Sequence, residues 1–202
     1  MTDRHSLSRT TRGLAVAGMV LGLSLVTSGL AEANYFGTGG SGCCLYADNA
    51  NETFNYDSTT SSTTNALDYA KSNLSDNTDM TTSYVGDGAQ TDFVGYDQYY
   101  TTYWGLDWDG SSTGFNIFGA TKCVSTDGAD SGTCQRAEGR FDLADFDGFT
   151  ALEKRAVTCH ELGHGIGLDH STDSTSCMQT NDPSPGDKYY SSHDIAHING
   201  RW

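Results

Sequence analysis

"CHELGHGIGLDHSTDSTSCM", residues Cys159 to Met178, is the stretch from which the rest of the chain is read. His160 and His164 are four apart. On a helix their imidazoles share one face, one turn apart, where both can reach a single metal ion. Glu161 lies about 100° round the helix from His160. There it can reach water at that metal without being a ligand. A catalytic zinc site takes three protein ligands and leaves a position open. A glutamate from a later helix is one source of the third ligand, but Glu161 is the last glutamate in the chain. The other source is local. Gly167 follows His164 by three residues, and His170 follows Gly167 by three. A left-handed glycine ends a helix without steric cost and lets the chain turn back. Asp169 competes for the third position but stands one residue short, so His170 is the expected ligand.

The helix that carries the pair is legible around it. In "TALEKRAVTCHELGHGIG" (Thr150–Gly167), Thr150 can cap the N-terminus with Glu153 as its capping-box partner. Leu152, Ala156, Val157, Cys159 and Leu162 supply apolar positions, and the only prolines, Pro183 and Pro185, come later. Upstream, "ETFNYD" (Glu52–Asp57) alternates like a strand. "NALDYAKSNL" places Ala66, Leu67, Ala70 and Leu74 on one helical face, behind a Ser/Thr run suited to capping. Between Met80 and Leu143, "TTSYVG", "DFVGY", "YYTTYWGLDW", "GFNIFGATKCV" and "EGRFDL" read as strands of one twisted sheet. "SSHDIAHI" closes the chain as a short helix. A helix, then strands, then a helix bearing the site predicts an α+β fold.

The first 33 of 202 residues read as a secretory signal peptide. A basic start (Arg4, Arg9, Arg12) precedes an apolar run, Gly13–Leu30, and then "AEA" at Ala31–Ala33. Residues 34–202 are then expected to form a single catalytic domain, secreted and extracellular. The removed segment has three arginines and two acids, so the net charge passes from −15 to −16. A surface so acidic argues against nucleic acid and against anionic membrane as partners. Once the signal is removed, no membrane association is expected, and a monomer is. All six cysteines lie after residue 33, an even number that reads as disulfides in an exported chain. Cys123 and Cys134 flank a loop between two expected strands and are expected to pair. Cys43 and Cys44 are left over, and an exchange of either with Cys123 or Cys134 stays open.

"HELGHGIGLDH" resembles the long zinc signature of the metzincin metallopeptidases. Met178, eight residues past His170, stands where that clan places its Met-turn. Ser171 after the third histidine, the preceding "GLDH" and the step to Met178 are most similar to matrixins. Astacins and serralysins carry a tyrosine two residues past the methionine, where this chain has Thr180. The specific match covers the 19 residues His160–Met178. It is joined by a looser one in "SHDIAHI", where Asp194 matches one acid of the matrixin closing helix and His193 replaces the other. The resemblance implies a metzincin-type zincin domain: a twisted mixed β-sheet, an active-site helix, a Met-turn and a C-terminal helix. It implies one catalytic Zn2+ held by His160, His164 and His170, and a protein or peptide substrate. It also brings Cys159 and Cys177 together under the metal. A disulfide there would close a loop worth about 3 kcal/mol.

The departures from the family are specific. No cysteine-bearing pro-segment motif precedes the domain. No histidine lies between His5 and His160, so the family's second, structural zinc is not expected. The wall after Met178 reads "QTNDPSPG", so the family's side-chain preference does not carry over.

The chemistry that follows is hydrolysis of a peptide bond, with zinc acidifying water and Glu161 as general base. Substrate is expected to extend along an edge strand, assigned to Gly139–Leu143. Tyr189 or Tyr190 is a candidate for oxyanion support. "DWDG" and "ADFDG" offer carboxylates that could hold Ca2+, as matrixins often do, without a complete calcium-loop pattern. Two other classes compete: a secreted binding or toxin-like module with a vestigial zinc site, and a zinc amidase acting on cell-wall peptide. Glu161 weighs against the first, since a site that only holds metal needs no base. The acidic surface and the lack of a recognisable wall-binding segment weigh against the second.

Overall fold

A computed structural model describes residues 45–202 apart from 128, 129 and 181. The expected signal segment, Cys43 and Cys44 lie outside the described residues. In chain order the elements are β1 (Tyr46–Ala47), β2 (Asn51–Ser58), α1 (Ser61–Asn77), β3 (Thr81–Tyr84), β4 (Phe93–Gln98), β5 (Thr102–Tyr103) and β6 (Leu106–Asp107). They continue with β7 (Gly119–Asp127), β8 (Asp130–Asp142), α2 (Leu143–Phe146), α3 (Ala151–Gly165) and α4 (Ser192–Arg201). The class is α+β, as the element order predicts.

Helix α1 starts where its sequence allows. Thr60 caps it by accepting from the Thr63 amide, and Ala66, Leu67, Ala70 and Leu74 are its buried face. That face meets α3. The Thr158 hydroxyl donates to the Ala66 carbonyl at 3.0 Å, and the Lys154 ammonium donates to the Ser62 hydroxyl at 2.8 Å. Both capping interactions expected at Thr150 and Glu153 are present. The two helices cover the sheet, with Phe54, Phe93, Leu67, Leu162 and Ile166 among the side chains enclosed between them. Gly165 lets α3 approach closely, since a Cβ there would meet the Phe93 ring at 2.7 Å.

The sheet is mixed. Strands in the order β1-β8-β4-β2-β3 run parallel, and β7 pairs antiparallel with β8 on its other flank. This corrects two expectations. Gly139–Leu143 is not an edge: Gly139 pairs with Gly95 of β4 on one side and Thr121 of β7 on the other. The edge beyond β8 is β7. "YYTTYWGLDW" does not join the main sheet either. It folds on itself as β5 and β6, turning through Trp104 (φ 56°) and Gly105 (φ 77°). Two central residues with positive φ suit a tight hairpin between twisted strands. Trp108 then packs inward against Tyr100, ring centroids 4.6 Å apart.

Candidate metal centre

Helix α3 delivers His160 and His164 one turn apart, their ring centroids 4.5 Å from each other. The helix ends as the glycine predicts. Gly167 takes φ 106°, its amide donates to the His164 carbonyl at 3.1 Å, and the Leu168 amide donates to Gly163 at 2.8 Å. This double closure about a left-handed residue is a Schellman cap. It turns the chain so that the His170 ring stands 5.2 Å from His160 and 4.9 Å from His164. One nitrogen from each of the three rings lies within 4.8 Å of the others. Among the described residues, these three alone form a His, Cys, Asp or Glu group of that kind.

The tautomers follow from the partners. His160 Nδ1 lies 2.8 Å from the Cys177 carbonyl, and His164 Nδ1 lies 2.8 Å from the Leu168 carbonyl. A carbonyl oxygen only accepts, so each Nδ1 carries its proton. Burial holds both rings neutral, aided by the neighbouring histidines. It pulls the pKa of His160 down to about 3 and that of His164 to about 4. The two Nε2 atoms, 2.9 Å apart, then face each other as lone pairs. Neither ring has a proton left to bridge them, and a shared cation satisfies both. The donor set, three imidazoles with two oriented by backbone carbonyls, fits zinc.

Glu161 stands beside this group. It is 4 % exposed, and its Oε2 has no hydrogen-bond partner. In the metal-free chain, burial pushes its pKa up to about 8. The Thr121 hydroxyl on β7 donates to its backbone carbonyl at 2.9 Å. Gly119, at the start of β7, lies so close that a Cβ would come within 2.9 Å of Oε1.

Met178 is fully buried and packs against Gly163, on the inner side of α3. Its loop is held at both ends: the Ser171 amide donates to the Met178 carbonyl at 2.7 Å, and the Met178 amide donates to the Ser176 hydroxyl at 2.9 Å. Ser176 in turn donates to Asp194 of α4 at 2.6 Å. Cys159 and Cys177 form a disulfide with Cα atoms 5.9 Å apart. It ties the residue before His160 to the residue whose carbonyl orients His160. Cys123 and Cys134 form a second disulfide, which joins β7 to β8.

Other candidates fall elsewhere. The Tyr190 hydroxyl donates to the Cys159 carbonyl at 3.3 Å inside the core, and Tyr189 faces Tyr69 at 6.0 Å. Neither is among the residues that line the cleft before the histidines. The Asp107 carboxylate of "DWDG" accepts from the amides and hydroxyls of Ser112 and Thr113, which close its own loop. That cleft holds about 380 Å³. One lip is the segment from Phe115 to Gly119, and the other includes Gln179, Asp182 and Pro183. Sequence reading missed the lips, because nothing local marks which loop will face the histidines.

No curated protein matches the chain. The profile of the matrixin peptidase family matches residues 30–200. Such a match takes in the sheet, the histidine helix, the methionine loop and the closing helix together, and the chain therefore belongs to the matrixin family of zinc metallopeptidases.

Proposed function

We propose that the chain is an exported zinc endopeptidase whose single catalytic domain spans residues 34–202. In it His160, His164 and His170 hold one zinc ion and Glu161 is the general base. The carrying observation is the pair of Nε2 lone pairs facing each other at 2.9 Å, with both Nδ1 atoms committed to carbonyls. Zinc, when bound, supplies Lewis acidity toward water and toward a peptide carbonyl. Glu161 takes a proton from the attacking water on its unpartnered oxygen and passes it to the leaving amine. Substrate lies extended along the outer edge of β7, where unpaired backbone groups can extend the sheet. The two disulfides support an extracellular setting.

A binding module with a vestigial site needs no general base, yet Glu161 is kept buried beside the triad with its Oε2 unpartnered. The discriminating experiment is Glu161→Gln. Casein hydrolysis should fall by at least about a hundredfold, while zinc stays near one per chain by atomic absorption. Hydrolysis at close to the wild-type rate would refute the assignment.

A further inference from the structure

The cleft before the histidines has two kinds of wall. Phe118, Ile117 and Val157 are apolar and give part of the lining a surface on which an aliphatic stem can lie. At the other lip stand Asp182 and Asp187. Neither carboxylate has a cationic partner among the described residues. The lining contains no lysine or arginine. The nearest cation in sequence, Lys188, does not line the cleft and is engaged elsewhere: it donates to the Pro185 carbonyl at 3.0 Å and lies over the Tyr189 ring. Glu161, 4 % exposed and with Oε2 unpartnered, lines the same cleft and marks where the scissile bond must come. A neutral apolar side chain would lie on the apolar wall and make no use of the two acids, of which Asp182 is exposed and Asp187 half-buried. An acidic side chain would meet them as like charges. A net charge of −15 draws cationic segments toward the whole molecule and repels acidic ones.

We propose that this cleft selects a lysine or arginine beside the scissile bond, its stem on Ile117, Phe118 and Val157 and its cationic head at Asp182 and Asp187. The proposal rests on the peptidase reading above and names the substrate class for that same site.

The test uses the zinc-loaded full chain and quenched fluorescent peptides of one sequence in which a single position is lysine, norleucine or glutamate. Norleucine keeps the stem and removes the charge. Cut sites are read by mass spectrometry. Cuts should fall beside lysine, with kcat/KM about fivefold above norleucine and lower again for glutamate. In the Asp182→Asn, Asp187→Asn double variant the lysine-to-norleucine ratio should fall toward one. Norleucine cut as well as lysine, or a ratio that survives in the double variant, overturns the proposal and leaves the peptidase standing. If no peptide is cut, the peptidase reading fails, and binding to the zinc-loaded Glu161→Gln variant decides the proposal by fluorescence anisotropy. Tighter binding of the lysine peptide upholds the selectivity, and equal binding of lysine and norleucine overturns it.

Discussion

At Gly119 a Cβ would stand 2.9 Å from both Cγ and Oε1 of Glu161. The obstructing atoms are the far end of a side chain, so Gly119→Ala can be accommodated by swinging the carboxyl aside. Stability should change by less than about 1 kcal/mol. Activity should fall far more, about a hundredfold in kcat/KM, because a small displacement of a base from its proton is expensive. Zinc content should not change. An Ala variant with wild-type kcat/KM would show that the glycine does not position the base. Glu52 is a second carboxyl whose chemistry is set chiefly by burial. It is 1 % exposed, its Oε2 has no partner, and burial, then Asp92 and Asp48, raise its pKa well above the ordinary value. The folded chain therefore binds this proton more tightly than the unfolded chain. The contribution to stability is complete below the unfolded value near 4.5 and is lost as pH rises through the raised one. Glu52→Gln should stabilise the protein at pH 7 and not at pH 4, as read by urea melts at the two pH values. An equal effect at both would rule out the carboxylate as the cause.

Among the elements, those set by local chemistry are the ones the sequence made legible. Thr150 and Glu153 mark the start of α3, Gly167 marks its end, and the face of α1 follows from a 3.6-residue period. The three histidines belong to the same class, because helix spacing and one glycine place all of them. What could not be read is strand order. Pairing β8 between β4 and β7 depends on contacts far apart in sequence, and the residues of "EGRFDL" look the same at an edge or inside. The same holds for the lips of the cleft, where Phe115 and Asp182 meet only through the fold. The Cys159–Cys177 bridge lies between these cases, since the family resemblance supplied the proximity that spacing alone could not. It fastens α3 to the loop that ends at Met178. Its loss in a Cys159→Ala, Cys177→Ala double variant should cost about 3 kcal/mol of stability. The Cys177 carbonyl would then hold His160 less firmly, and zinc affinity should drop about ten- to a hundredfold. Competition titration with a chromophoric chelator reads that affinity. If the variant loses stability but binds zinc as tightly as wild type, the bridge supports the fold and not the ligand.

For the whole molecule, the site and the stability of the domain are one problem. His160 and His164 come from α3 and His170 from the chain beyond its cap, while the loop that orients His160 is fixed to α4 through Ser176 and Asp194. Without a cation, two desolvated imidazole lone pairs oppose each other inside this frame. Zinc removes that opposition in the folded state, and the unfolded chain does not hold the three rings together. Binding therefore adds to folding stability by mass action, about 4 kcal/mol when free zinc is a thousandfold above Kd. For a domain of this size that is a rise in Tm of roughly 10 °C. Calorimetry after exhaustive chelation, and again after zinc is restored, should recover the full shift. His160→Ala should melt at one temperature under both conditions, because one of the three ligands is gone. The −15 charge provides the control. Screening its self-repulsion with salt should raise Tm for wild type and His160→Ala alike. A wild-type protein whose Tm ignores zinc while still responding to salt would mean that the three histidines do not form a metal site.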